Sequence, residues 1–401
     1  MAIDNHPSGP SPITVCLAGA LSLAVAMGIG RFAFTPMLPL MIQGGQLDVA
    51  AGGWLAAANY AGYLLGAMTA SRMGWPAPRL AAVALLLTAG LTAAMALPGP
   101  TWLWLVLRLA AGISSAWAFV GTSVWCLGAL SRLQRPSWGS GLYAGVGAGI
   151  ALAGLFCLAG AAAGVSAPAL WLMLAVLALV LLVPVAPVLR SLGLASPVAA
   201  PAVSGKAPAR TTGLVVCYGV LGFGYILPAT FLPVLARSVV EDPRLFGLAW
   251  PLFGLTAALS TFMAGWWMRR ASRLQVWAAS HLLMGIGVLL PGLWLSGLTV
   301  ALSALLVGGT FMIITMAGLQ EIRARAIGDP TVLVGRMTAA FALGQIAGPI
   351  ASSLLLRVPA FAANGLNLAL QAGAVALLLS AAWLWRQTHQ PVLEKEISHA
   401  R

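Results

Sequence analysis

Long apolar stretches fill most of this chain, and short connectors rich in proline, glycine and charge separate them. A helix needs about 20 apolar residues to cross the ~30 Å hydrocarbon core of a bilayer. The pattern predicts twelve such helices, here numbered spans 1 to 12. Their ranges are 13–42, 50–71, 79–97, 101–130, 138–162, 168–189, 213–236, 246–268, 274–295, 298–320, 337–357 and 363–385.

Composition agrees with an all-α membrane protein. The 401 residues are 60% hydrophobic and 7% charged, whereas soluble domains carry about 25% charged residues. The four cysteines lie in apolar stretches at spacings that fit no metal site. We therefore expect no metal and no cofactor.

The basic residues predict the orientation of the spans. With the N-terminus inside, 16 of the 21 Lys and Arg residues fall on inside loops or the C-terminal tail, and three fall on outside loops. Such a bias indicates that both termini are cytoplasmic, in a multi-pass protein of the bacterial inner membrane. It also explains the net charge of +13 without a nucleic-acid partner. No Lys or Arg precedes the first apolar run, so we expect a retained helix there rather than a secretory signal.

The longest inside connector divides the chain into two parts. Residues 191–212 are rich in Pro, Ala and Ser, which predicts a flexible cytoplasmic linker. The linker separates a six-helix bundle at 1–190 from a second at 213–401. A shift of 194 residues aligns similar positions in the two parts, which predicts two pseudo-symmetric bundles. The aligned pairs include Gly28 with Gly222, Gly30 with Gly224, Leu38 with Leu232 and Pro39 with Pro233.

Three motifs carry a family resemblance. "GIGRFAFTPMLP" in span 1 returns as "GFGYILPATFLP" in span 7, and "GQIAGP" follows in span 11. With the layout of two six-span halves, these motifs resemble the major facilitator superfamily, and within it the YbfB/YjiJ-type branch. The resemblance implies a major facilitator fold in which spans 1, 4, 7 and 10 line a central cavity. "RLAAG" at Arg108 resembles the span 4 motif, whereas the loop after span 2 lacks the acid usual in the family.

Arg31 is the leading candidate for a binding residue. It lies about 27 Å and about 16 Å from the two ends of span 1, too deep to reach either surface easily. We therefore expect it to face a water-filled cavity, where its planar fork could hold a carboxylate, phosphate or sulfonate. The alternative is a structural role, in which Arg31 pairs with backbone carbonyls or a neighbouring helix.

Other polar residues are weaker candidates for the same site. Arg108, ~10 Å deep in span 4, could bind substrate or partly snorkel to the surface. Tyr225 occupies the span 7 position equivalent to Arg31 and offers a hydroxyl and an aromatic face. Further candidates for cavity walls are Asn59, Tyr60, Tyr63, Tyr143 and Gln345. We expect helix packing or hinge roles for Gly28, Gly30, Pro36, Pro39, Gly222, Gly224 and Pro233.

Acidic residues are absent from the middle of every span. Proton-coupled carriers often use buried carboxylates, so coupling here would need another route. Asp48, in the first outside loop, and Glu321, at the inner end of span 10, are the candidates. His281 lies in a span that the resemblance assigns to support, so we interpret it as structural.

These observations predict a secondary transporter that moves a small anionic organic solute by alternating access. Alternatives are a multidrug-type exporter of amphipathic neutral or cationic compounds and a non-transporting membrane sensor. An enzyme would need a His, Asp or Glu cluster, and an ATP-driven pump would need a "GxxxxGK[ST]" motif; the sequence has neither. We expect a monomer whose partners are the bilayer and its small-molecule substrate.

Overall fold

The computed structural model describes most of the chain. The described residues are 10–135, 138–192, 211–239, 247–325 and 331–388. They form helices joined by short turns, and this described part contains no strand. The linker predicted over 191–212 lies, except for its ends, outside the described residues.

The described helices are numbered α1 to α14 in chain order. They are α1 Pro12–Leu23, a π-helix Ala24–Phe32, α2 Phe34–Gln43, α3 Val49–Ala70, α4 Ala77–Ala94, α5 Thr101–Arg132, α6 Gly139–Ala162, α7 Ala167–Leu182, α8 Val185–Leu192, α9 Thr212–Val239, α10 Ala249–Trp267, α11 Arg273–Leu293, α12 Gly297–Arg325, α13 Thr331–Arg357 and α14 Gly365–Thr388. A short 3₁₀ turn, Ser71–Met73, follows α3. Helix α1, the π-helix and α2 together form one apolar span, Pro12–Gln43.

Every predicted span coincides with a helix, but not every helix is long and apolar enough to be a clear membrane span. Within the described ranges, nine helices are long and apolar enough to span a membrane, and the number is ten if α7 and α8 are counted as one bent span. The others of comparable length, α3 and α10, interrupt their apolar residues with Gly, Thr, Tyr and Trp. The count of twelve spans therefore stays a prediction.

Two of the predicted ranges differ from the observed helices in a way that matters for function. Span 6 is not straight: α7 and α8 meet at an angle of 46°, at Pro184, whose ring and missing N–H interrupt a helix. Span 10 extends five residues beyond its predicted end at residue 320, as α12 continues to Arg325. This extension brings Glu321 into the last turns of the helix.

The two parts of the chain pack against each other through several helices, with α2 against α9 among them. Helix α3 contacts α13, and α6 contacts α10. Small residues allow a close approach at these contacts. A Cβ built on Gly154 of α6 would lie 2.8 Å from the Pro251 ring of α10.

Candidate functional site

The first span loses its α-helical register where Arg31 lies. Residues Ala24–Phe32 form a π-helix, and each of them is buried. π-helical segments are rare and frequently lie at functional sites. In the i→i+5 pattern the carbonyl of Arg31 would accept from residue 36, which is Pro36 and has no N–H. The irregular backbone therefore needs a donor from elsewhere.

Arg108 of α5 supplies that donor. Its Nη2 donates to the Arg31 carbonyl at 3.0 Å, and its Nη1 donates to the Gly30 carbonyl at 3.3 Å. The guanidinium also lies 4.7 Å from the ring centroid of Phe34. Arg108 is only 2% exposed, so it does not snorkel to the surface. Its contacts are those of a clamp on the π-helical backbone, while a role in substrate binding stays a prediction.

Replacing Arg108 with glutamine should lower the thermal stability of the protein. Two backbone carbonyls would lose their donor, and each buried unsatisfied group costs about 1–3 kcal/mol. Arg108→Lys should fall between wild type and Arg108→Gln, because an ammonium cannot span both carbonyls as the planar fork does. Melting of the purified protein in detergent measures this order. Equal melting temperatures for wild type and Arg108→Gln would contradict the clamp.

Arg31 itself points toward the second half of the chain. Its Nη2 donates to Oε1 of Gln345 in α13 at 2.7 Å. Its Cζ lies 3.9 Å from the ring centroid of Tyr63 and 5.2 Å from those of Tyr60 and Phe32. The side chain is closed in by these groups at 3% exposure, so the water-filled cavity expected around Arg31 is not open in this structure.

Gln345 links Arg31 to Tyr225. The amide Nε2 of Gln345 donates to the Tyr225 hydroxyl, while its oxygen accepts from Arg31. The Tyr225 ring stacks between Phe311 and Phe341, with ring centroids 5.6 Å apart on both sides. The stacked rings restrain Tyr225, and Tyr225 in turn orients the amide. The two positions that the internal repeat aligns are thus joined by one side chain.

The charge of Arg31 has no acidic partner within the described ranges. The acids described there are Asp48 and Glu321, and both have partners elsewhere. Asp48 Oδ1 accepts from the Ala51 backbone at 2.6 Å, at the start of α3. Glu321 lies between Arg273, at 3.0 Å, and Arg325, at 2.8 Å.

The Arg31 guanidinium is also not saturated with hydrogen bonds, since its Nε is buried without a partner. A buried cation that is held by an amide oxygen and aromatic side chains, with no carboxylate of the described residues beside it, is poorly compensated. The arrangement therefore favours an additional anionic ligand.

The remaining predicted wall residues divide into two groups. Tyr60 stays close to Arg31, and its hydroxyl bonds Thr230 of α9 at 3.1 Å. Asn59 is fully buried and donates to the Arg108 carbonyl at 3.0 Å, which joins α3 to α5. Tyr143 lies apart and donates to Ser123 at 3.4 Å. The structure thus brings Tyr60, Tyr63, Tyr225 and Gln345 to Arg31, and it gives Asn59 and Tyr143 other contacts.

The predicted packing glycines lie at close approaches. A Cβ on Gly28 would overlap the Gly149 backbone of α6, and one on Gly30 would lie 3.1 Å from Ser115 Oγ. In the second half, Gly222 faces the Phe341 backbone and Gly224 faces the Leu377 side chain. The predicted prolines lie inside or near the start of helices, Pro36 and Pro39 in α2 and Pro233 in α9. The π-helix of the first span ends at Phe32, before Pro36.

Some functional features escaped sequence reasoning. The π-helix left only an indirect signal, namely two glycines and two prolines around Arg31. Phe311 and Phe341 resemble ordinary apolar residues of spans 10 and 11.

His281 is buried and hydrogen-bonded on both ring nitrogens. Its Nε2 accepts from Trp277 Nε1–H, and its Nδ1 bonds Ser380 Oγ at 2.9 Å. These contacts fit the structural interpretation of His281.

The hydrogen bonds that join the two parts of the chain run from Arg31 toward the end of the bundle where α2 terminates, here called the Gln43 end. Thr35 Oγ1 donates to the Ala229 carbonyl at 2.7 Å. Closer to the Gln43 end, Arg237 donates to the Pro39 carbonyl at 2.9 Å. Ser353 Oγ of α13 donates to the Ala50 carbonyl at 3.0 Å. The parts are therefore held together on this side of Arg31.

The helical bundle with a buried arginine between its parts is that of a membrane transporter of the major facilitator type. Residues 23–384 match the family described as the uncharacterised MFS-type transporter YbfB, and the chain belongs to that family. It is a multi-pass membrane protein and, by family, a secondary transporter. Among curated proteins, none matches this chain in sequence.

Solved transporters share the fold over nearly the whole chain. A bacterial homologue of the human lysosomal transporter Spinster, in an inward-facing and unoccupied conformation, aligns with a TM-score of 0.69 at 15% identity, covering 96% of this chain and 100% of that one. A D-xylose–proton symporter gives 0.67 at 14%, covering 94% and 97%. The nucleoside transporter NupG gives 0.64 at 11%, covering 94% and 99%. At these identities the likeness shows the fold alone.

Proposed function

We propose that this protein transports a small anionic organic solute whose acidic group binds Arg31. The observation that carries the proposal is a deeply buried guanidinium whose Nε has no partner and against which no carboxylate of the described residues lies. A bound anion would supply the missing charge and accept from the fork in bidentate fashion. Phosphate and sulfonate groups have the same chemistry, and a carboxylate is the closest geometric match to the amide that Arg31 now contacts.

Binding would proceed by exchange at Arg31. The solute's carboxylate takes the place of the Gln345 oxygen, because a carboxylate brings the opposite charge and can accept two hydrogen bonds from the guanidinium, whereas the amide oxygen is neutral. Gln345 is released from Arg31 while keeping its contact with Tyr225. The link between the two parts then passes through the solute, so that its arrival and departure can bias their separation.

We further propose alternating access between two six-helix halves, 1–190 and 213–401, with twelve spans in all. The halves are hydrogen-bonded on the Gln43 side of Arg31. With both termini cytoplasmic, as the basic loops indicate, that side is periplasmic. The structure would then represent a state closed to the outside, in keeping with the inward-facing Spinster homologue. The protein would act as a monomer in the inner membrane.

A competition assay with matched compounds tests the sign of the solute. In proteoliposomes or by thermal shift, a carboxylate should compete better than its amide, and the amide better than its amine. Two like charges about 4 Å apart cost on the order of 4 kcal/mol at an effective dielectric of about 20. The preference for the carboxylate should be smaller in Arg31→Gln than in the wild type. In Arg31→Lys it should be intermediate, since lysine keeps the charge but lacks the planar guanidinium.

The same assay can overturn the proposal. If the amine competes best with the wild-type protein, the charge argument is wrong and export of amphipathic cations takes its place. If Arg31→Gln binds every compound as the wild type does, Arg31 is structural. Asp48 and Glu321 stay candidates for proton linkage, although their present contacts are a helix cap and a pair of arginines.

A further inference from the structure

A groove lies between the start of α4 and the bend that joins α7 to α8, well away from Arg31. Its volume is about 360 Å³. Arg79, in the first turn of α4, and Arg190, in the last turns of α8, line the end of the groove nearest the helix termini. The other walls are apolar and include Ala82, Leu85, Leu86, Leu182, Val185 and Leu189.

The bend at Pro184 gives the groove its shape. Helix α8 turns away from the axis of α7 by 46° and packs against α4 and α1. Val185 and Leu189 face inward at 1% and 8% exposure. Arg190 remains on the outer surface of the same short helix. The result is an apolar trough lined by one arginine from α4 and one from α8.

Neither arginine has a carboxylate partner among the described residues. Among the described residues, Glu321 is the acid at this end of the bundle, and it is held by Arg273 and Arg325. The internal shift of 194 residues aligns Arg79 with Arg273, but it aligns Glu321 with Leu127. The first half thus keeps the arginine of this pair and lacks the acid.

The surroundings of the groove are those of the bilayer surface. Leu86 and Val183 are 59% and 70% exposed, which is tolerable where hydrocarbon covers them. The Arg79 guanidinium lies 5.0 Å from the ring centroid of Trp75. Exposed tryptophans of membrane proteins concentrate at the depth of the lipid headgroups. The two arginines therefore lie where a lipid phosphate would be.

We propose that this groove binds an anionic phospholipid of the adjoining leaflet. Its phosphate would lie between Arg79 and Arg190, and one acyl chain would follow Leu86 and Leu182 along the trough. Basic pockets between transmembrane helices bind anionic lipid headgroups, and arginine forks suit phosphate geometry. The apolar walls favour a lipid over a water-soluble phosphate, because the trough opens to hydrocarbon. The site is separate from Arg31 and goes beyond the proposed transport function.

Lipid-dependent melting and native mass spectrometry of the full-length protein in detergent test the proposal. Phosphatidylglycerol should raise the melting temperature more than phosphatidylcholine with the same acyl chains. In the double variant Arg79→Gln, Arg190→Gln, phosphatidylglycerol should bind at least about tenfold more weakly, a loss of about 1.4 kcal/mol. Arg269→Gln is the matched control, since it removes an exposed arginine from the turn between α10 and α11. It should keep the lipid preference.

A second variant fills the groove without changing its charge. Ala186→Trp places an indole in the trough and should weaken phosphatidylglycerol binding in a protein that still folds. Equal stabilisation by both lipids, an unchanged preference in the double variant or in Ala186→Trp, or the same stabilisation by soluble glycerol phosphate would overturn the proposal. Carboxylate binding at Arg31, measured on the same variants, should be unchanged, so failure of either idea can be recognised separately.

Discussion

Replacing Gln345 with glutamate should abolish carboxylate binding and raise the melting temperature of the protein. The new carboxylate would lie where Gln345 Oε1 now accepts from Arg31 at 2.7 Å, and it would neutralise the buried guanidinium. The desolvation of Arg31 is already incurred, so the attraction between the two charges has only the desolvation of the new carboxylate to offset. The Tyr225 hydroxyl can turn to donate to the carboxylate. The solute would then face an occupied arginine, and its affinity should fall by at least about 100-fold, or about 2.8 kcal/mol.

Gln371→Glu is the matched control for this experiment. Gln371 Nε2 donates to the Gly292 carbonyl at 2.7 Å, and glutamate has no N–H to replace it. The same substitution should therefore lower the melting temperature there and leave carboxylate binding intact. Thermal melting with and without a carboxylate ligand distinguishes the two variants. Undiminished ligand binding in Gln345→Glu would show that the solute does not use Arg31.

Gly28→Leu should prevent the protein from folding or lower its melting temperature by several degrees. A Cβ on Gly28 would lie 2.5 Å from Cα and 2.6 Å from the carbonyl oxygen of Gly149. Both groups belong to backbone, which cannot turn aside as a side chain can. Overpacking a core typically costs about 1–3 kcal/mol. The overlap with the backbone should cost as much as the upper end of that range or more. Size-exclusion chromatography and thermal melting of the purified variant measure the effect.

Gly90→Leu is the corresponding control. Gly90 lies in α4, and a Cβ there meets nothing within 4 Å. Because glycine is a poorer helix former than leucine, this variant should melt at or above the wild-type temperature. A Gly28→Leu protein as stable as Gly90→Leu would mean that span 1 and α6 are not in backbone contact.

The depth of Arg31 and the scarcity of acids could be predicted from the sequence, but the state of the site could not. The sequence predicts an arginine near the middle of a span with water around it. The structure instead closes the site with Gln345 and three aromatic rings. Whether a buried cation faces water, an amide or a ligand depends on which helices lie opposite, and no local pattern records that. Arg108 shows the same limit, since its partners are backbone carbonyls of another helix.

The apolar lengths, the basic loops and the absence of mid-span acids were readable in the chain, because insertion into a bilayer depends on local composition. These features predicted an all-helical membrane protein of the transporter class and singled out Arg31. The π-helix, the Arg108 clamp, the aromatic stack around Tyr225 and the lipid-facing groove depend on contacts between distant parts of the chain. Arg31 and Gln345 are 314 residues apart, and the packing of α13 against α3 and α9 brings them together. Long-range packing therefore set the chemistry of the site, while local composition set the membrane architecture that holds it.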